Sequence, residues 1–461
     1  MKKDHSKNKN IYLVCFLIAV FIYYFVWSIL KPYNYGPDEY VRFPAYYYIF
    51  VHNTLPTGFS EEIRNELWGF SYAFYFTWLP GLLSVLCMKI VSVFSSASDI
   101  LLYAARFPSV LAGVLSVFIT FKISDTILED EKTKWFITFF IASIPQFAFL
   151  SSYVNNDIFA VTGALIIVYS WVRCVKEKLN LLNSVLMSAG IITVALSYYN
   201  SYGWILFSGL FLLILYIAKK EERKNILKYT LLIAGIVILF TGFFVVRNTI
   251  VNSGDVFGLR SLAESSETYA IDTLKPGARD TLKNQGLPLY TLLKDKDYIF
   301  STERSFFAAF AYTDVLAPGI VYKIYRYFTL FGFALFLVSL ITGIFKKEKD
   351  KKIYLVLLPI VLAAASVVFL SLYYSWGTDY EPQGRYLYPA LPALVVFLGT
   401  GYDLIFKIKK IPKAAGISIS LVLTAVLFAV SLYCFVFVYI PSDFELADMS
   451  NLENFIQSFP R

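Results

Sequence analysis

Histidine is nearly absent from this chain: His5 and His52 are the only two in 461 residues. That excludes a histidine-rich metal centre and any triad built on histidine. The four cysteines, Cys15, Cys87, Cys174 and Cys434, all lie within apolar runs. There they read as small hydrophobes rather than a disulfide framework or a thiolate metal site. Charge is also scarce. Only 16% of residues are charged against 57% hydrophobic, and a soluble domain carries roughly 25% charged residues to cover its surface.

What replaces charge is long apolar stretches and aromatics, with a mean hydropathy of +0.60. Runs of about 20 apolar residues recur near 11–30, 72–94, 101–121, 135–154, 157–172, 181–198, 203–218, 226–246, 323–345, 353–374, 386–406 and 414–440. Each suffices for a hydrocarbon core of roughly 30 Å. The first is too long for a signal-peptide core and has no small-residue cleavage site, so it reads as a retained helix. The fold class is therefore all-α, a polytopic membrane protein.

The formal charge of +8 does not point to nucleic acid, because no basic patch carries stacking aromatics in a soluble segment. Twenty-four of the 41 basic residues instead fall in clusters at 2–9, 122–134, 173–178, 219–228, 346–352 and 407–413. Those clusters share one side if 72–94 does not cross, leaving about eleven transmembrane helices. The opposite short loops, near 154–157, 198–203 and 375–385, hold only Arg385. The positive-inside rule then makes the N-terminus cytoplasmic. Run 72–94, with Pro80-Gly81 in its middle, reads as outer-face juxtamembrane helices. Residues 1–440 read as one transmembrane domain with outer loops 31–100 and 247–322, and 441–461 as a short outer tail.

This topology places four polar stretches on one outer surface. "YNYGPDEYVRFPAYYY" (33–48) holds Asp38, Glu39 and Arg42. Carboxylates beside a membrane are costly unless paired or employed, and here one could act as general base or bind a divalent cation. A solvated acidic turn fits the spacing equally. Asp157 follows Asn155 and Asn156 and opens an apolar run, so it reads either as a helix cap or as a second reactive acid. Arg247 and Arg385 end or begin spans, where guanidinium forks suit phosphate or simply reach for headgroups. Arg42 stands four residues after Asp38, within reach on a helix. The tyrosines at 33, 35, 40, 46, 47 and 48 suit either an interface belt or a sugar subsite. "STERSFFAAFAY" (301–312) has the pattern of an amphipathic helix on the membrane surface. No internal repeat supports a transporter.

Taken in order, "GPDEYVR", "RFPSVLAGVLSVFITF", "NND", "VRN" and "PQGRYLYPALPAL" resemble the GT-C superfamily of integral-membrane glycosyltransferases. The resemblance is closest to a bacterial branch of that fold catalogued as a domain of unknown function. It covers about 30 to 400. "SFFAAFAY" departs from the branch's pattern, with Phe307 for tryptophan and Ala308 and Ala311 for glycines. The resemblance implies transfer, with inversion, of a sugar from a polyprenyl-phosphate donor to an acceptor hydroxyl. The acceptor would be a cell-surface glycan, and the place the outer face of a bacterial plasma membrane. It implies Asp38 as base, with Glu39 and Asp157 positioning the acceptor. Any divalent cation would sit on Asp38 and Asp157. Arg247 and Arg385 would hold the phosphate, with Arg42, Asn156 and Tyr386 completing the substrate contacts. Alternatives are a polysaccharide polymerase or ligase using a lipid-diphosphate donor, and a non-catalytic transporter. The latter would want ionisable groups in mid-membrane, where the sequence has almost none.

Overall fold

The computed structural model of the protein describes residues 2–345, 354–407 and 413–460. Lys346, Lys347, Lys349, Lys351, Lys352, Lys409 and Lys410 of the basic clusters lie outside the described residues. Helix α1 (Lys2–Ile29) leads into α2 (Glu39–His52) and α3 (Leu79–Ser92). There follow α4 (Ser98–Ile127), α5 (Glu131–Ala142), α6 (Pro145–Leu150), α7 (Asp157–Lys176), α8 (Leu181–Ala195), α9 (Gly203–Ala218) and α10 (Arg223–Val251). A long connection carries α11 (Leu259–Tyr269), α12 (Thr291–Lys294) and α13 (Lys296–Phe307). The chain continues with α14 (Gly319–Phe345), α15 (Tyr354–Gly377), α16 (Leu391–Phe406), α17 (Lys413–Tyr433) and α18 (Met449–Ser458).

Among the described residues nine helical stretches are long and apolar enough to cross a membrane. The expected runs 135–154 and 181–198 take other forms. The first breaks between Ala142 and Pro145 into α5 and α6, because proline's fixed ring opens a new helix rather than continuing the old one. The second folds as the fifteen residues of α8, roughly 22 Å at 1.5 Å per residue. In run 72–94 the helix is only α3, fourteen residues long.

Lysines gather the helix ends. Lys9 Nζ lies 2.7 Å from Asp125 and 3.1 Å from Glu131, while Lys407 lies 3.3 Å from Glu129. Lys219 Nζ reaches the carbonyl of Cys174 at 3.1 Å. The start of α1, the α4–α5 and α7–α8 turns and the ends of α9 and α16 therefore sit at one basic end. Central helix α7 is enclosed almost all round, with Trp171 stacked on Phe211 at 5.1 Å. A second apolar cluster joins α2, α3, α4 and α18, where Phe455 packs on Tyr47 at 5.7 Å and Leu452 is fully buried. Helix α18 of the C-terminal segment thus docks against the 33–48 region.

The helix expected over 301–312 stops at Phe307. The chain then turns inward as a two-stranded antiparallel ladder, β1 (Ala309–Phe310) against β2 (Val315–Leu316), with Ala309 opposite Leu316. The small side chains of Ala308, Ala309 and Ala311 permit the insertion, and all three are buried. Phe310 anchors it between Trp27, Phe149 and Tyr439. This places Tyr312 at the end of the bundle opposite the lysines, where the candidate site lies.

Candidate active site

Asp38 is the residue from which the site is built. It stands just before α2 in the left-handed region (φ 61°), a conformation that non-glycine residues seldom adopt. Its carboxylate does not cap the helix. Its backbone N–H donates to the Tyr312 hydroxyl at 3.3 Å, and that hydroxyl donates to Asn34 at 2.7 Å. Thus freed, Oδ2 meets two guanidinium groups: Arg42 Nη2 at 3.3 Å, one helical turn on, and Arg385 Nη2 at 2.9 Å. Burial alone would raise Asp38, but Arg385 and Arg42 overcome it and hold the carboxyl below its ordinary range.

The second acid enters from α7. Asp157 does not cap this helix; the loop before it is tied to its first turn by Asn155, whose Oδ1 accepts from the N–H of Ile158 at 2.9 Å. Asp157 is fully buried, and among the described residues both its carboxylate oxygens lack a hydrogen-bond partner. Oδ2 lies 3.7 Å from Arg42 Nη1. Asn156 accepts from the Tyr46 hydroxyl at 3.0 Å, tying the loop to α2.

Arg385 comes from the 3-10 turn Gly384–Ala390, which is pinned from behind. A Cβ on Gly384 would lie 2.2 Å from the backbone nitrogen of Phe306, so only glycine permits this approach to α13. Arg385 is 3% exposed, its Nη2 donates to the Tyr386 hydroxyl at 3.0 Å, and its guanidinium lies over the Tyr386 ring. Arg42 lies over the Tyr72 ring at 5.2 Å. In both arginines Nε and Nη1 are buried and make no hydrogen bond among the described residues. Asp38 keeps 25% of its side chain accessible, and around it Tyr72, Tyr75 and Tyr198 are partly exposed and Tyr374 is 43% exposed. The site is a polar chamber walled by phenol rings.

A divalent cation does not fit these donors. Two guanidinium groups occupy the space beside Asp38 and Asp157, and among the described residues no three acidic, histidine or cysteine side chains converge. Positive charge is already supplied by protein.

The family model "Predicted membrane protein (DUF2142)" matches residues 68–394. The chain belongs to this family. No curated protein matches the sequence. Among solved structures, the DUF2142 chain is similar to ArnT from Cupriavidus metallidurans bound to undecaprenyl phosphate. The TM-score is 0.52 at 12% identity, over 92% of this chain and 71% of ArnT. It is also similar to the Archaeoglobus fulgidus oligosaccharyltransferase AglB. One AglB structure, with zinc and sulfate, gives a TM-score of 0.57 at 15% identity, covering 96% of this chain. Another, in complex with an inhibitory peptide and a dolichol-phosphate, gives 0.57 at 13%, covering 98%. The chain spans 57% and 60% of those two AglB chains. The fold is that of the GT-C glycosyltransferases.

Of the residues singled out in the sequence, Asp38, Arg42, Asp157, Arg385 and Tyr386 converge in the chamber. Glu39 does not. It is fully buried on the other side of the loop, gripped by Arg106 at 2.8 and 2.6 Å. Arg247 is also elsewhere, donating to the carbonyls of Leu55 and Pro56 at 2.9 and 3.0 Å. Tyr33, Tyr35, Tyr46 and Tyr47 are packed in the core rather than lining the chamber. Sequence reasoning missed Arg106, Tyr72, Tyr312 and Glu381. Burial pushes the Glu381 carboxyl up to about 8, with Arg385 opposing and Asp38 and Asp379 adding to the rise. The available signal was "SWGTDYEPQGRY" itself, whose acids stand within six residues of Arg385.

Proposed function

We propose that this DUF2142 protein is an inverting glycosyltransferase moving a sugar from a polyprenyl-phosphate carrier to an acceptor hydroxyl. One observation carries the reading: Arg42 and Arg385 converge on Asp38 while each keeps two buried nitrogens that make no hydrogen bond among the described residues. Buried donors left unmet cost about 1–3 kcal/mol each, and a phosphate accepts such forks bidentately. A lipid carrier suits the neighbouring surface. A cavity of about 600 Å³ lies behind the Arg385 turn, lined by Phe306, Leu330, Val368, Leu372, Leu387 and Leu394.

Asp38 is the base in this reading. It takes the proton of the acceptor hydroxyl as that oxygen attacks the anomeric carbon. The bond from that carbon to the phosphate oxygen breaks, and its electron pair leaves with the lipid phosphate. Arg42 and Arg385 hold the charge that develops there. The two roles are coupled. A phosphate that engages the guanidinium groups draws them from Asp38, and the carboxylate becomes a stronger base when the donor is in place. Asp157 holds Arg42 and orients the acceptor. No step requires a metal.

The lysine clusters at the opposite end support a cytoplasmic N-terminus and a chamber on the outer face of a bacterial plasma membrane. A cell-surface glycan is the acceptor we assign. The test supplies wild-type membranes with a panel of polyprenyl-phosphate sugars and follows free lipid phosphate. Release from one donor is expected. If every donor stays intact while the protein is folded, the reading fails.

A further inference from the structure

We propose that Arg106 and Glu39 are positioning residues that set both candidate carboxylates, Asp38 and Asp157, through one buried ion pair. The proposal rests on the transferase reading for its kinetic consequences but not for its structural one. Arg106 is 1% exposed in the first third of α4, and Glu39 is fully buried. Nε and Nη2 of the arginine grip Glu39 at 2.8 and 2.6 Å. Its remaining donors go to backbone: Nη1 to the carbonyls of Ser28 and Lys31, Nη2 to that of Pro32. Glu39 in turn accepts from the N–H of Asn34 and from the N–H of Val154, each at 3.1 Å.

Every partner lies on one of three segments: the end of α1 with its loop, the start of α2, and the turn before α7. Asp38 is adjacent to Glu39, and Asp157 is three residues after Val154. The two loops also touch directly, since a Cβ on Gly36 would lie 2.2 Å from the Tyr153 ring. The left-handed backbone of Asp38 is held by this surrounding network, as such conformations must be. The ion pair thus works at one remove from the chemistry. It holds the loop that carries the base against the turn that carries Asp157, on which the geometry of Asp38 and Arg42 depends.

The test compares wild type with Glu39→Gln, which keeps the shape and removes the charge, in detergent-purified full-length protein. Folding is checked by a monodisperse size-exclusion peak. Hydrogen exchange is expected to rise at least tenfold in 33–42 and 153–157 together, with the basic end unchanged. Misplacement of about 1 Å costs on the order of 100-fold in turnover, so kcat should fall about 100-fold with the donor KM near wild type. The acid limb of the kcat/KM profile, which reports the free enzyme, should move to higher pH as Asp38 loses its arginines. A merely structural pair would lower the active fraction without moving that limb. Should Glu39→Gln not fold, Arg106→Lys is read the same way. Folded variants with unchanged exchange, kcat and acid limb would overturn the proposal. If wild type turns over no donor, the transferase reading fails, while paired exchange in the two loops still decides the positioning claim.

Discussion

Two guanidinium groups outweigh the penalty of burial at Asp38, and this sets its response to pH. Its folded pKa lies below the ordinary carboxylate value, so its stabilising contribution is present above about pH 4 and is lost as pH falls through the lowered value. Arg385→Gln should remove much of that depression. The acid limb of activity then moves to higher pH, which a kcat/KM profile reads because it reports the free enzyme. Arg385→Lys keeps the charge but loses the fork, and kcat/KM for the donor should drop by about 10²-fold. Glu381 has the opposite sign. Its carboxyl is pushed up to about 8, so the protonated form is favoured in the fold and stability declines as pH rises from the ordinary glutamate value of about 4.3 through 8. Glu381→Gln should flatten that alkaline decline in thermal melts taken between pH 5 and 9. Acids near arginines were readable from the sequence. Which acid faces the chamber was not, because Asp38 and Glu39 are neighbours and a single left-handed residue turns them to opposite sides.

At the scale of elements, the turn Gly384–Ala390 is the piece on which the anion site hangs. It is held by the Ser305 hydroxyl, which accepts from the Gly384 N–H, by the Tyr388 hydroxyl on the carbonyl of Phe306 at 2.7 Å, and by the Phe306–Tyr388 stack at 4.7 Å. Gly384→Ala drives a methyl into the Phe306 backbone, and overpacking of this kind costs about 1–3 kcal/mol. The expected outcome is a lower melting temperature together with a larger loss of donor turnover, measured on the same preparation. "SFFAAFAY" shows why element type was only partly legible. Its apolar periodicity fits a helix as far as Phe307. Beyond that residue the backbone is set by a tertiary fit that no periodicity reports: Ala309 donates its N–H to Gln146 at 2.9 Å and Ala311 adopts φ 53°. Glycine in the family's pattern at 311 suits that dihedral, and alanine carries the strain of a left-handed residue here.

For the whole molecule, apolar length and lysine parity carried most of the information. They marked the helical membrane fold and the shared sidedness of the clusters at 2–9, 122–134 and 407, whose ends the ion pairs of Lys9 and Lys407 bring together. They did not report the break before Pro145, the shortness of α8 or the docking of α18, because these arise from packing rather than hydropathy. The proposed orientation is open to direct labelling. In a chain lacking its native cysteines, Thr273→Cys should react with an impermeant maleimide in intact cells, and Lys178→Cys only after permeabilisation. The most direct test of the central claim compares wild type with Asp38→Asn on the reactive donor, after both show the same elution profile and melting temperature. A general base contributes about 10²–10⁴-fold, so release of lipid phosphate should fall by about that factor while the donor still binds. Release by Asp38→Asn at the wild-type rate would contradict the account, for among the described residues no other acid pairs with both arginines.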